Sequence, residues 1–465
     1  MNTESIPIID AVGIDSILRQ TASPEPSRVR EIIARSAEMQ GLDSGDVAVL
    51  SAVTDPELLQ ELFDTAKQVK ETIYGRRLVV FAPLYISNLC GNECMYCAFR
   101  ASNPEIVRRA LTQEEIARET MILEDQGHKR VLLVAGESYP KEGFRYVLDS
   151  IATVYGAKSG KGEIRRVNVN VAPLKPEEFR ELQKAGIGTY QLFQETYHPD
   201  TYHRVHLGGR KKDYAWRITA IDRAMEAGID DVGIGVLFGL SEWRWEVQAL
   251  LQHIRYLEDR FGIGPHTISV PRLEPATGSD IAAHPPHAVD DIDFMKIVAI
   301  LRLAVPYTGI IMSTRETPRM RRDTFALGVS QISAGSRTNP GGYADARLEE
   351  DGSQFSLGDH RPLDDVIRDV AEMGYIPSFC TGCYRLGRTG KDFMDLAKPG
   401  DIRMHCEPNA ASTFLEYLDD YASPGTREVG MRTIQGMLET LDPKARERTE
   451  AMLHRVATGE RDVYC

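Results

Sequence analysis

The chain has 465 residues, of which 42% are hydrophobic and 26% are charged, a composition typical of a folded globular protein. A formal net charge of −13 argues against a nucleic-acid partner, and the longest apolar runs, such as RVLLVAG, are too short to span a membrane. The first residues, MNTESIPIIDAVG, lack the basic and then apolar pattern of a secretory signal, so we expect a cytoplasmic protein.

The first 75 residues are expected to form a helical extension. The segment SPEPSRVREIIARSAEMQ begins at Ser23, a helix-capping residue type. The next segment, DPELLQELFDTAKQVKETIYG, carries apolar residues at helical spacing and ends at Gly75. We therefore assign residues 1–75 to an N-terminal helical domain.

From residue 76 onward, short β-branched or aromatic runs alternate with amphipathic helical stretches. Eight such runs occur, at residues 77–88, 130–137, 165–173, 188–197, 230–240, 266–276, 308–316 and 327–338. Eight strands with helical crossovers favour a closed (β/α)8 TIM-type barrel, an α/β fold, over an open doubly wound sheet. We expect the barrel to occupy residues 76–345.

The alternation stops near residue 345. A polar, acidic stretch follows, and after it come a second group of cysteines and three helical segments. We assign residues 346–465 to a C-terminal helical domain that carries an iron–sulfur cluster, for the reasons given below.

Three of the seven cysteines lie in the segment LCGNECMYCAF, directly after the first predicted strand. Cys90, Cys94 and Cys97 form a C-x3-C-x2-C pattern. Three thiolates can bind three irons of a [4Fe–4S] cluster, which leaves the fourth iron open to a small molecule. A zinc site completed by a distant histidine is the alternative, although zinc sites favour C-x2-C pairs.

The second cysteine group has the pattern C-x2-C-x22-C and consists of Cys380, Cys383 and Cys406. Zinc is a stronger alternative here, because C-x2-C is a common zinc half-site and His405 could complete a Cys3His set. Adjacent residues such as His405 and Cys406 seldom point at one metal ion, so we favour a second iron–sulfur cluster. Cys465 is expected to be a free thiol.

The first cysteine motif, with an aromatic residue before its last cysteine, resembles that of the radical S-adenosylmethionine (SAM) superfamily. The resemblance implies that SAM chelates the open iron and that an electron from the cluster cleaves it to a 5′-deoxyadenosyl radical. The segments AGES, FQETYH and WRITAID follow in the order expected of that superfamily. The resemblance thus implies that the cofactor-binding residues include Tyr96, Gly136, Glu137, Glu195 and Arg217.

The motifs QETYH, PHTISVPRLEPA, STRE and SAGSRTNPGGY, together with the second cysteine group, resemble the tyrosine lyases of [FeFe]-hydrogenase maturation (the HydG family). That resemblance implies cleavage of L-tyrosine to p-cresol and dehydroglycine. It also implies conversion of dehydroglycine to carbon monoxide and cyanide at a second [4Fe–4S] cluster. An additional iron, bound by His266, would collect both products for hydrogenase-maturation partner proteins, and an external electron donor would reduce the clusters.

Two other functions remain open from the sequence. The sister tyrosine lyase, the 2-iminoacetate synthase of thiazole synthesis, shares the barrel and the first cluster but lacks the C-terminal cysteine pattern. A non-catalytic iron–sulfur scaffold has no need of the predicted SAM-binding residues.

The position of His266 carries a geometric prediction. His266 begins its predicted strand, whereas Cys90 follows the end of its own, so these two residues should lie at opposite mouths of the barrel. If His266 serves the second cysteine group, the two groups face each other through the barrel, and its interior is a conduit. The carboxylate of tyrosine favours a bidentate guanidinium, and the candidates are Arg315 and Arg337, assisted by Ser336.

Overall fold

The computed structural model describes residues 8–345 and 352–465. The chain opens with four helices: α1 (Ala11–Gln20), α2 (Pro26–Ser36), α3 (Ser44–Ser51) and α4 (Pro56–Tyr74). The side chain of Asp55 caps α4 by accepting hydrogen bonds from the amides of Glu57 and Leu58, and the helix ends at Gly75, whose φ is 62°. The predicted helical extension is confirmed.

Eleven strands occur in the described part of the chain. They are β1 (Arg77–Ser87), β2 (Glu93–Cys94), β3 (Arg130–Ala135), β4 (Arg166–Asn170), β5 (Tyr190–Glu195), β6 (His206–Gly208), β7 (Val232–Val236), β8 (Thr267–Ser269), β9 (Gly309–Met312), β10 (Val329–Ser333) and β11 (Ile376–Ser378). Eight of them are parallel neighbours in the order β1-β3-β4-β5-β7-β8-β9-β10, and β10 closes the barrel by pairing with β1. All eight predicted strands are confirmed, although each ends earlier than predicted.

Helices connect and surround the barrel strands. They are α5 (Gln113–Asp125), α6 (Arg145–Gly156), α7 (Pro176–Lys184), α8 (Pro199–Val205), α9 (Tyr214–Ile218), α10 (Ala220–Glu226), α11 (Trp243–Phe261), α12 (Asp280–Ala283), α13 (Asp291–Ala304) and α14 (Pro318–Leu327). The outward faces of the strands and the inward faces of these helices share one large apolar core with the N-terminal helices.

From residue 352 onward, the regular secondary structure is helical apart from β11. Its helices are α15 (Leu363–Glu372), α16 (Gly382–Arg385), α17 (Gly390–Ala397), α18 (Arg403–Asp420), α19 (Pro424–Thr440) and α20 (Pro443–Ala457). Strand β11 pairs in parallel with the first residues of β1, so this part of the chain extends the sheet of the barrel at its N-terminal mouth. The domain boundaries at residues 75 and 345 stay predictions. None of the described helices is both long enough and apolar enough to cross a bilayer.

Candidate active site

The first three cysteines lie at the C-terminal mouth of the barrel, in a loop that follows β1. Strand β2 holds this loop against β6, because Glu93 and Cys94 pair with Gly208 and His206. The hydroxyl of Tyr96 lies 2.8 Å from Nε2 of His206, so a side-chain contact with the same strand adds to this pairing. These contacts position the cysteine loop against β6.

Gly136 follows β3 and lies directly against the cysteine loop. A Cβ atom at this position would lie 2.2 Å from the carbonyl oxygen of Leu89, far inside any real contact distance. The amide of Gly136 donates a hydrogen bond to the carbonyl of Ser87 at 2.8 Å. Glycine is needed here because two backbones approach closely.

Two ion pairs flank the loop. Nη1 of Arg217 lies 2.9 Å from Oε1 of Glu137, and its Nε donates to the carbonyl of Phe193 at 2.9 Å. Nζ of Lys211 lies 2.7 Å from Oε1 of Glu195. Glu195 has a φ of 72°, which is unusual for a residue other than glycine and turns its side chain at the end of β5. Four charged side chains thus converge beside the cysteines.

The electrostatics of this set keep Glu137 ionised. Burial alone would raise the pKa of Glu137, but the nearby charges of Arg217 and Lys211 outweigh it, so the pKa lies below the ordinary value. The site therefore offers fixed charges of both signs, as recognition of an amino-acid group with an ammonium and a carboxylate requires.

A chamber of about 190 Å³ opens at this mouth and is lined by the three cysteines and by both ion pairs. Arg315 also lines it, with its guanidinium carbon 3.2 Å from the centre of the Phe355 ring. Ser336 and Arg337 are not among the lining residues, and Nη1 of Arg337 donates to the carbonyl of Ser336 at 3.0 Å. Of the three residues predicted for the tyrosine site, the structure brings Arg315 to the chamber.

The second cysteine group lies at the N-terminal mouth. Cys380, Cys383 and Cys406 line a cavity of about 60 Å³, and Cys380 reaches it because β11 pairs with the beginning of β1. His266 directly precedes β8 and lines the same cavity. The two cysteine groups therefore lie at opposite mouths of the barrel.

His266 is positioned between an aromatic ring and a carboxylate. Its ring centre is 4.3 Å from that of Phe393, and its Nδ1 lies 3.8 Å from Oδ1 of Asp231 without a hydrogen-bond partner. Burial lowers the pKa of His266, which favours the neutral imidazole that binds metals. His405, the alternative ligand for zinc, is not among the residues that line this cavity.

Each cysteine group has a hydrogen-bond donor directed at one of its sulfurs. The amide of Gly382 lies 3.3 Å from Sγ of Cys380, and Nε2 of Gln354 lies 3.7 Å from Sγ of Cys97, as donors to a thiolate would. Burial raises the pKa of Cys97 to about 11 and also raises that of Cys383, so bound iron would have to displace these protons.

A single-ion site is not preformed at either mouth. Within residues 8–345 and 352–465, no group of three or more histidine, cysteine, aspartate or glutamate side chains converges as a site for one metal ion. In a cubane cluster the thiolates bind separate irons at different corners, so their sulfurs need not converge on one point.

Amides and glycines line part of the barrel interior between the two mouths. The side chain of Gln191 lies over Gly233 and that of Gln331 lies over Gly309, since a Cβ on either glycine would meet these side chains within 3.0 Å. Barrel interiors are usually filled by layers of bulky branched side chains. A small apolar cluster, separate from the main core, consists of Phe81, Leu132 and Ile311.

Known proteins share this sequence and architecture. Residues 84–254 match the radical SAM superfamily, and residues 269–376 match the biotin and thiamin synthesis associated domain. The 2-iminoacetate synthase of Escherichia coli (strain K12) is 32% identical over 360 residues, which cover 77% of this chain and 92% of that protein. A crystal structure of HydG, a maturase of the [FeFe]-hydrogenase, is 47% identical, has a TM-score of 0.95, and covers 99% of this chain and 100% of its own. The chain belongs to the HydG family.

A second HydG structure, from Carboxydothermus hydrogenoformans, is 40% identical with a TM-score of 0.84 and covers 95% of this chain and 97% of its own. As a member of the HydG family, the protein is a radical SAM carbon–carbon lyase of the tyrosine-lyase type. Membership of the superfamily implies a [4Fe–4S] cluster and SAM. The predicted fold and family are confirmed, whereas the roles of single residues stay predictions.

Three residues at the C-terminal mouth escaped the sequence analysis of this HydG-family chain. Lys211 lies in the basic run GGRKKDY, which gives no sign of which lysine points inward. Asn92 donates to Oε2 of Glu137 at 2.7 Å and accepts from the amide of Lys211 at 3.0 Å. Gln354 follows the acidic stretch after the barrel and donates to Cys97 from far along the chain. Only the folded chain brings these residues together.

Proposed function

We propose that this protein cleaves the Cα–Cβ bond of L-tyrosine to p-cresol and dehydroglycine, and converts dehydroglycine to carbon monoxide and cyanide. We propose further that the products form an iron–carbonyl–cyanide unit for [FeFe]-hydrogenase maturation. The observation that supports this best is the pair of three-cysteine groups at the two mouths of one barrel, the second with a histidine beside it.

The first half of the reaction belongs to the C-terminal mouth. Cys90, Cys94 and Cys97 would hold three irons of the first [4Fe–4S] cluster, which with SAM supplies one-electron chemistry when bound. The two ion pairs beside the loop would orient the polar groups of SAM. Arg315 would bind the carboxylate of tyrosine, because a guanidinium matches that group in a bidentate arrangement.

The second half would take place at the N-terminal mouth. There Cys380, Cys383 and Cys406 would hold the second [4Fe–4S] cluster, and the neutral imidazole of His266 would bind the iron that becomes part of the product. Dehydroglycine is small and polar, so it would pass from one mouth to the other through the part of the barrel interior that amides and glycines line. An external electron donor would reduce the clusters, and maturation partner proteins would receive the product.

A second candidate is 2-iminoacetate synthase activity, which the identity of 32% to the E. coli enzyme favours. That activity would need the C-terminal mouth alone. It would leave the three cysteines and the unpartnered Nδ1 of His266 at the other mouth without a function.

One experiment separates the candidates. Anaerobically reconstituted protein is incubated with L-tyrosine, SAM and dithionite, and p-cresol, cyanide and carbon monoxide are measured together. We expect all three products. p-Cresol without cyanide or carbon monoxide would favour the synthase, and no SAM cleavage at all would leave only an iron–sulfur scaffold.

A double variant tests where the second half of the reaction takes place. The double substitution Cys380→Ala, Cys383→Ala should keep p-cresol and lose carbon monoxide. The matched control is Cys465→Ala, a half-buried cysteine outside both groups, which should retain all three products. Equal loss of carbon monoxide in both variants would contradict the assignment of the second site.

A further inference from the structure

A groove of about 940 Å³ lies outside the barrel, next to the N-terminal mouth, and the proposed function does not use it. Its walls come from the second half of α4, from α18 and α19, and from the residues before β11. The walls carry positively and negatively charged side chains. The groove is close to neutral because many of them form ion pairs, such as Arg403 with Glu407 at 2.8 Å and Arg76 with Glu71 at 3.3 Å.

Helix α18 separates the groove from the second cysteine site. Arg403, Glu407 and Ala410 face the groove, whereas Cys406 and Asn409, on another face of the same helix, line the 60 Å³ cavity. A helix with its side chains is about 10 Å thick, so the groove lies about 10 Å from the cysteines.

Arg77 lines both spaces and forms the wall between them. Its Nε is buried without a hydrogen-bond partner, and its guanidinium carbon lies 4.9 Å from the centre of the Tyr74 ring. Beside Arg77, the carboxylate of Glu407 lies against Gly75. A Cβ atom at position 75 would be 2.3 Å from Oε1 of Glu407. Leaving a buried donor unpaired costs free energy, so the guanidinium of Arg77 favours an anion that can accept a hydrogen bond from it.

The C-terminal residues brace other sides of the cavity by contacting residues that line it. The ring of Tyr464 packs on Gly382, and the carbonyl of Cys465 accepts hydrogen bonds from Arg388 at 2.6 Å and Asn409 at 3.2 Å. Opening these sides would break several contacts at once, whereas opening the groove side requires a shift of Arg77.

We propose that the groove is the port of the second cysteine site, through which small anions and anionic iron complexes exchange with solvent, with Arg77 as its movable inner wall. This proposal rests on the proposed function, since it assumes a cluster on the second cysteine group. A separate port explains how a product made at the N-terminal mouth leaves while SAM and tyrosine occupy the other mouth.

Free cyanide is the probe for this port. The full chain is reconstituted anaerobically, SAM is added, and cyanide binding to the second cluster is followed by freeze-quench EPR spectroscopy. The signal of the second cluster is the one that the Cys380→Ala, Cys383→Ala variant lacks. Thermal unfolding and p-cresol formation are measured alongside to show that each variant is folded.

Two bulky residues should close the groove. Gly436 has open space around it, and Gln68 is exposed on α4 across the groove, so Gly436→Trp with Gln68→Trp should slow cyanide binding at least tenfold. The control is Gly156→Trp, since Gly156 is also an exposed helical glycine with open space and lines neither the groove nor the cavity. p-Cresol formation should be unchanged in these variants.

Arg77→Ala should act in the opposite direction and speed cyanide binding several-fold, because it removes the wall. Unchanged rates in the tryptophan pair and in Arg77→Ala, with a normal second signal, would overturn the port and leave the proposed function standing. If the parent protein shows no cyanide-sensitive second cluster, the second half of the proposed function fails, and the port fails with it.

Discussion

Arg217 and Glu137 form a buried ion pair across the C-terminal mouth, with Nη1 2.9 Å from Oε1 and only 3% and 15% of the two side chains exposed. The pair connects α9 to the residue that follows Gly136 at the end of β3. The ion pair therefore links the four charged side chains that we assign to SAM binding with the turn that contacts the cysteine loop. The stability of that turn and the binding of SAM should depend on one interaction.

Removing one partner of this pair should destabilise the protein. Arg217→Met leaves the Glu137 carboxylate buried without its main partner, and such a change costs about 3 kcal/mol or more in free energy of unfolding. Urea unfolding at neutral pH measures it. The double variant Glu137→Gln, Arg217→Met should recover most of the loss because no charge is left unpaired, and a double variant as unstable as the single one would contradict this.

The same pair predicts a pH dependence. Because the pKa of Glu137 is lowered in the folded state, its ionised form stabilises the fold above the unfolded pKa, and this contribution is lost as pH falls through the folded pKa. Acidification from pH 7 into the acid range should therefore narrow the difference in stability between the parent and Arg217→Met. A stability difference that grows on acidification would have the opposite sign and would contradict this prediction.

Lys211 should be needed for SAM binding although no motif marks it. Its ammonium lies 2.7 Å from Glu195, so Lys211→Met leaves that carboxylate without its nearest cation. We expect the Kd for SAM to rise at least tenfold, a loss of about 1.4 kcal/mol, in equilibrium dialysis against reconstituted protein. The neighbouring Lys212→Met is the control, because Lys212 is exposed and should bind SAM as the parent does.

The sequence predicts the barrel well because each of its eight strands is a run of β-branched or aromatic residues flanked by turns. Strands β2, β6 and β11 were not predicted, since two or three residues carry no periodic signal of their own and β11 contains Pro377, whereas the three residues of β8 lie within a longer predicted run. The four charged side chains at the C-terminal mouth show the same limit of sequence-based prediction. Glu137, Glu195 and Arg217 stand in recognisable segments, whereas Lys211 is distinguished from its neighbours only by the direction of its side chain.

Gly136 should tolerate no side chain. In Gly136→Ala the new Cβ would meet the carbonyl of Leu89 at 2.2 Å, so the cysteine loop or the end of β3 must shift. We expect the variant to lose the first cluster and to keep the second, which roughly halves bound iron and sulfide and abolishes p-cresol formation. Gly156→Ala, at a position with open space, should keep the full iron content.

The segment that follows Glu195 is held by a buried acid whose titration should be visible in stability. Glu246 accepts hydrogen bonds from the hydroxyl of Thr196 and, at 2.8 Å, from the amide of Tyr197. Burial raises the pKa of Glu246 from 4.5 to about 7, because these donors offset only part of the cost of burying the charge. The folded state therefore binds this proton more tightly than the unfolded state does.

Stability should consequently fall as pH rises from 4.5 to 7, and the carboxylate should cost the fold about 3 kcal/mol above that window. Glu246→Gln stays neutral and still fits between Thr196 and Tyr197, so it should be more stable than the parent at pH 8 and close to it at pH 5. Urea midpoints at the two pH values measure the difference, with the exposed Glu450→Gln as control. A variant less stable than the parent at pH 8 would show instead that the ionised carboxylate is needed to hold the end of β5.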